Sequence, residues 1–230
     1  MADPGRKSEV LKALGRLARG LSALFWGLPL SMLFYVQAAR ADWMEAMGAF
    51  SMLPPVAASG LLIYGLRQME QFQRQERIWR AALDRALFLA YVNTGLAPFL
   101  FWWHRMPFVP LYIAAVSFLA VGSLLFLASL NHLLQRLTAM LPDEALRQET
   151  RLFTKLNRGM LGFVIAILLF YLIFSPLRGL PRGVVLVLVR MEVSGVWVLL
   201  FLILMPLAMT MSLLWKIKEI IFSSVFDAEH

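Results

Sequence analysis

A chain of 230 residues with 60% hydrophobic and 16% charged side chains carries more apolar surface than a water-soluble fold of this size can bury. Its net charge of +8 comes from Lys and Arg scattered between apolar runs, with no aromatic-interleaved basic domain, which argues against a nucleic-acid-binding module. The absence of cysteine excludes disulfides, thiolate metal sites and cysteine nucleophiles.

Six stretches of roughly 20 residues hold no charged side chain: 21–39, 46–66, 86–103, 109–130, 159–176 and 193–215. Each is long enough to cross a ~30 Å hydrocarbon layer as a helix. Backbone groups must be paired inside that layer, and continuous apolar runs do not fit the alternation of a barrel. The expected fold is an all-α polytopic membrane bundle, a single transmembrane domain over 1–230.

The chain opens on a basic segment, Arg6, Lys7, Lys12, Arg16 and Arg19, before the first span. Ala39-Arg40-Ala41 resembles a signal-peptide cleavage site, but the span also belongs to a repeat and is expected to be retained. Within it, Gly20, Ala23, Gly27 and Ser31 form a small-residue face suited to close helix packing.

The second span contains Pro54-Pro55 followed by Ala57-Ala58-Ser59-Gly60. Successive prolines leave carbonyls without their usual donors, so Pro54 and Pro55 are candidates for a helix break lining a cavity. The segment near 67–85 keeps a helical pattern with Met69, Phe72, Trp79 and Ala82 on one face, as expected of a short cytoplasmic extension that packs on a neighbour or on headgroups.

In the third span, Asn93 and Thr94 place two polar side chains near mid-membrane, where an unpaired amide costs several kcal/mol. They are expected to face protein or a cavity. After the fourth span, Leu133, Leu137 and Leu141 continue inward to Pro142, and Asp143 and Glu144 favour a new helix start, making a second extension near 131–158. The 177–192 connection carries Arg178, Arg182 and Arg190 beside Glu192 on the outer side. Trp43, Trp102, Trp103 and Trp197 fall near the outer boundary and Trp79 and Trp215 near the inner one, the pattern of interfacial belts.

Odd-numbered spans are entered by Leu17-Ala18-Arg19-Gly20-Leu21, Leu83-Asp84-Arg85-Ala86-Leu87 and Leu156-Asn157-Arg158-Gly159-Met160. The shared pattern implies three tandem helical hairpins, with repeats at 17–82, 83–155 and 156–222. Arg19, Arg85 and Arg158 are then equivalent anchors whose guanidinium groups reach lipid headgroups while their stems stay apolar. Lys and Arg concentrate before odd spans and after even ones, so the positive-inside rule places both termini on the cytoplasmic side of an inner membrane.

No charged group lies deep in a span, which argues against proton-coupled transport. His104, His132 and His230 are too scattered for a metal or heme site, and neither Gly-x-Ser-x-Gly nor a P-loop occurs. No catalytic, cofactor or metal site is expected. The reading is a non-catalytic accessory or scaffold subunit of a membrane complex, with a channel or transporter for a small or uncharged solute as the alternative. A third reading is a lipid-handling protein. Expected partners are membrane lipids, including anionic headgroups on the inner side, and other membrane subunits or further copies of the chain, with no nucleic acid.

With no native cysteine to mask, single introduced cysteines report sidedness directly. Ser8→Cys and Ser224→Cys should react with an impermeant maleimide only after the membrane is opened from the cytoplasmic side. Labelling of either in intact cells would overturn the orientation.

Overall fold

The computed structural model describes residues 4–40, 48–70, 72, 76–140, 144–174, 183 and 195–226. Among these there is no strand. The helices are α1 (Pro4–Arg40), α2 (Leu53–Met69), α3 (Arg77–Leu96), α4 (Phe99–Arg105), α5 (Pro110–Met140), α6 (Glu144–Phe174) and α7 (Gly195–Phe226). Six spans are long and apolar enough to cross a membrane, with α3 and α4 together forming the third. The chain is therefore a helical membrane-type bundle. Asp42 and Glu45, and Arg178, Arg182, Arg190 and Glu192 of the 177–192 connection, lie outside the described residues.

Packing follows chain order. α1 lies against α2, α2 against α3, α3 against α5, α5 against α6, α6 against α7, and α7 returns to α1. The short α4 touches α1 and α5, and α5 also meets α7 across the interior. One end of the bundle carries Arg80, Arg85, Arg136, Arg147, Lys155, Arg158, Lys216 and Lys218, and is called the basic end below. The apolar exterior is extensive: Trp26, Phe50, Phe88, Phe108, Phe118 and Phe201 are all more than 60% exposed, a surface compatible with lipid and incompatible with water.

The tightest contact joins α1 to α2. A Cβ on Gly20 would fall 2.6 Å from the Gly65 carbonyl, one on Gly65 would fall 2.9 Å from the Gly20 carbonyl, and one on Gly27 would strike the Leu62 side chain at 2.7 Å. Two backbones thus approach where neither helix carries a side chain, the geometry that substitutes dispersion for the missing hydrophobic drive in lipid. Ala23 is buried in the same helix, and Tyr35 and Ser59 share a hydrogen bond of 2.7 Å nearer the opposite end of this pair.

The expectation of a break at Pro54-Pro55 is corrected. A 3₁₀ turn over 48–52 runs directly into α2, and the two prolines occupy its first turn, where a missing N–H leaves nothing unpaired. The interruption lies instead in the third span, read from sequence as one helix over 86–103. There α3 gives way to α4 at Ala97-Pro98, and Leu100 and Phe101 take up tighter i→i+3 bonds to Ala97 and Pro98, at 3.2 Å each. Pro98 has no N–H to donate to the Thr94 carbonyl, which ends the regular ladder.

In the extensions expected near 67–85 and 131–158, residues 67–69, 77–85, 131–140 and 144–158 are helical, as continuations of the spans themselves, whereas Glu70 and Phe72 lie in turns and Glu76 precedes α3 outside any helix. Met69, Trp79 and Ala82 are buried in the main core, and the Phe72 ring stands edge-on to Trp79 with centroids 6.0 Å apart. The expectation that Trp79 serves an interfacial belt is therefore corrected: the indole is 1% exposed. Trp215, at 54% exposure, has the access such a role requires.

Gly65→Leu should lower the thermal midpoint of the detergent-solubilised protein, with an overpacking cost of about 1–3 kcal/mol. Gly159→Leu, where a Cβ meets nothing within 4 Å, should leave it near wild type. Equal midpoints for the two variants would show that the α1–α2 approach does not hold the bundle.

Candidate binding cavity and the polar node beneath it

A cavity of 390 Å³ lies inside the bundle, lined by residues from all seven helices. Its wall is predominantly apolar, with Leu28, Leu62, Leu119, Phe126, Leu168 and Leu207 among its residues. No Asp, Glu, Lys, Arg or His reaches it among the described residues. The polar groups at its wall are Ser31, Tyr35, Ser59, Asn93 and Ser123.

These polar groups differ in how they are satisfied. Ser31 donates to the Leu28 carbonyl at 2.9 Å, and Ser59 donates to the Pro55 carbonyl at 2.8 Å while bonding the Tyr35 hydroxyl. Asn93 Oδ1 and Ser123 Oγ, by contrast, are buried with no hydrogen-bond partner. Asn93 is seated in the notch left by Gly122, where an added Cβ would come within 2.5 Å of Oδ1. Both atoms are closed off from the cavity as well as from partners, and an unpaired buried polar atom of this kind costs about 1–3 kcal/mol.

The candidate residues divide accordingly. Asn93 and Ser31 line the cavity, whereas Pro54, Pro55 and Thr94 do not. Thr94 turns back to its own helix and donates to the Ala90 carbonyl at 2.8 Å. Gly20 and Gly27 meet α2, as described above. Arg19 is exposed, with Nε donating to the Gly15 carbonyl at 3.3 Å, and Arg85 and Arg158 are exposed at the basic end.

Between the cavity and the basic end lies a polar node that the apolar-run reading passed over. Thr210 Oγ1 on α7 donates to the Pro206 carbonyl at 2.8 Å and accepts from Asn131 Nδ2 of α5 at 2.9 Å and Asn157 Nδ2 of α6 at 3.2 Å. One hydroxyl proton and two lone pairs are all engaged. Asn131 uses its second N–H on the Leu127 carbonyl at 2.8 Å, and Asn157 Nδ2 also reaches the Pro206 carbonyl at 3.3 Å. All three side chains are at most 2% exposed. The legible signal was Pro206 inside an apolar span with Thr210 one turn later, because the hydroxyl can reach the proline carbonyl across that turn. Asn131 and Asn157 stood at span edges and read as boundary residues.

Below the node, Leu130, Leu133, Leu134, Leu137, Leu213, Leu214 and Ile217 are completely buried and fill the interior. At the basic end itself Lys216 of α7 pairs with Glu149 of α6, and the Lys216 ammonium lies 5.9 Å from the centroid of Phe153. His104 Nδ1 lies 3.2 Å from the Ala39 carbonyl, tying α4 to α1. Among the described residues no three His, Cys, Asp or Glu side chains gather in a way that could hold a metal ion. The chain matches no protein-family model, no curated protein and no solved structure.

Thr210→Val should destabilise the solubilised protein by about 1–3 kcal/mol, because two buried amides lose their acceptor at once. Ser117→Ala, which removes a hydroxyl bonded only to the Ile113 carbonyl of its own helix, should have a much smaller effect. Equal thermal midpoints for both variants would refute the node.

Proposed function

We propose that this is a non-catalytic integral membrane protein that holds an uncharged, mainly apolar small molecule or lipid chain inside its helical bundle. The observation that carries the reading is the 390 Å³ cavity, whose wall is apolar apart from Ser31, Tyr35, Ser59, Asn93 and Ser123. Its volume falls within the ~300–1,000 Å³ of small-molecule sites, and a wall without ionisable groups disfavours a charged ligand. The ligand class that fits is an uncharged, mainly apolar body.

Binding fits better than conduction. An aqueous path would need polar lining along its length, and the interior toward the basic end is filled by leucines around the buried Thr210 hydrogen-bond node. Transport of the bound molecule would require α7 to move, and Pro206 supplies a position where its ladder is already interrupted.

The reading takes the molecule as three hairpins entered by Arg19, Arg85 and Arg158, with both termini cytoplasmic. Helix adjacency that follows chain order and closes from α7 to α1 supports this arrangement. The accessory-subunit reading rests on a different surface. Leu152, Leu156, Phe163, Phe170 and Ile173 are exposed along α6, with Gly159 and Gly162 open beside them. That face could seat a partner helix or lipid.

The test is recovery of the bound species. Protein purified from its membrane in mild detergent, then denatured and extracted, should release a small uncharged molecule at near one equivalent by mass spectrometry. Ala120→Phe, which places a ring at the cavity wall, should release at least tenfold less. If the folded variant retains the molecule, or wild type releases nothing above the detergent blank, the cavity is not a binding site.

A further inference from the structure

Resting on the reading of the cavity as a binding site, we infer that its occupant is one straight hydrocarbon chain of about 12 carbons, which enters methyl end first from the end of the bundle away from the basic end. The cavity wall runs from Leu28 to Ala39 on α1 and from Val116 to Leu127 on α5, 11 residues along each helix and therefore ~16 Å long. Spread over that length, 390 Å³ leaves a mean cross-section of ~24 Å², the bore of a single extended chain and too narrow for two chains or a fused-ring body. An extended chain advances about 1.3 Å per carbon as its ~1.5 Å bonds zigzag, so ~16 Å is spanned by about 12 carbons.

The two ends of the cavity differ. At one, Ala39 and Val116 pack on a small separate core of Ala38, Leu100 and Leu119. Val36 is 44% exposed beside them and Ala39 is partly exposed, so this end opens on the flank of α1. At the other end Leu127 and Leu207 stand within one turn of Asn131 and Thr210, and the Asn131 amide is bonded to the Leu127 carbonyl. Beyond them the fully buried leucines of the basic end close the interior. A chain that enters at Val36 therefore stops against the Thr210 node.

The wall selects by shape. The Ser31 and Ser59 hydroxyls donate to carbonyls of their own helices, Tyr35 bonds Ser59, and Asn93 Oδ1 and Ser123 Oγ are closed off. A polar or charged ligand finds no partner there, whereas methylene groups need none. A chain that leaves the bilayer for the cavity exchanges one apolar medium for another, so its preference for the site comes from dispersion contact. A straight chain makes that contact along the whole wall, and a compact isomer of the same carbon count does not.

The experiment is photolabelling of the full chain in phosphatidylcholine nanodiscs with dodecan-1-ol bearing an aliphatic diazirine at carbon 3 or at carbon 11. The carbon-11 probe should label peptides holding Leu127 or Leu207, and the carbon-3 probe those holding Val36 or Val116. At equal mole fraction in the bilayer, unlabelled dodecan-1-ol should compete at least tenfold better than cyclododecanol, which has the same carbon count and hydroxyl. Competition by longer alkanols should level off at about 12 carbons. Val164→Phe, which adds a ring to the wall on the closed side, should lower that limit by about two carbons. Should this variant not fold, the wild-type labelling positions decide. Two sources share this chemistry, and phosphatidylcholine with a diazirine at carbon 11 of one chain separates them. Labelling of the Leu127 or Leu207 peptides identifies an intact membrane lipid, and its absence beside dodecanol labelling identifies a free single-chain compound. Equal competition by cyclododecanol, or the same peptides labelled by both dodecanol probes, overturns the chain and leaves a bound apolar molecule in place. Labelling that neither alcohol displaces overturns the chain and the binding site together.

Discussion

Hydrocarbon contains no hydrogen-bonding solvent, and this constraint governs every polar atom in the bundle. The Thr210 hydroxyl answers it most fully, because one group serves three helices at once: it closes on the Pro206 carbonyl of its own helix and accepts from Asn131 and Asn157 on two others. Leaving either amide unmatched would cost more than the bond itself contributes, so the node selects one registration of α5, α6 and α7. The same economy recurs at the other helix irregularities. Ser31 donates to the Leu28 carbonyl just before Pro29, and Thr94, four residues before Pro98, donates to the Ala90 carbonyl. Each hydroxyl is held by its own backbone, and such bonds also bend helices.

Packing density is uneven along the bundle as a result. At the basic end, complete burial of Leu130, Leu133, Leu134, Leu137, Leu213, Leu214 and Ile217 leaves an interior as closed as that of a soluble core. α1 and α2 approach most closely where Gly20 and Gly65 bring two backbones together, at a point that the cavity does not reach. The cavity lies farther along the bundle, where Ala90, Ala120 and Ser123 present small groups. Unpartnered buried polar atoms are not confined to its wall, since Trp79 Nε1, Thr150 Oγ1, Thr154 Oγ1 and Asn157 Oδ1 also lack a partner.

The basic end is a different electrostatic problem. Lys216 and Glu149 neutralise one another between α6 and α7, and Arg67 Nε donates to the Tyr91 hydroxyl at 2.8 Å between α2 and α3. Among the described residues no ion pair involves Arg85, Arg136 or Arg158. An uncharged interior and a charged end thus divide the molecule into parts with separate chemistry.

Hydrophobic run length alone determined the all-helical architecture and the number of spans, since a charge-free stretch of roughly 20 residues has few alternatives to a membrane helix. Glycine spacing in the first span and the amide of Asn93 were legible for a related reason: a missing side chain or a polar atom in lipid has local consequences wherever the chain goes. Pro54-Pro55 and Trp79 misled because their meaning depends on position within an element. Two prolines are disruptive inside a helix and harmless in its first turn, and a boundary tryptophan can anchor in headgroups or turn inward against Phe72. The Asn131–Thr210–Asn157 node and the cavity were decided only by tertiary structure. Each joins side chains from different helices, and the free energy of such a contact depends on the rotation and depth at which those helices pack, which no single run of residues specifies.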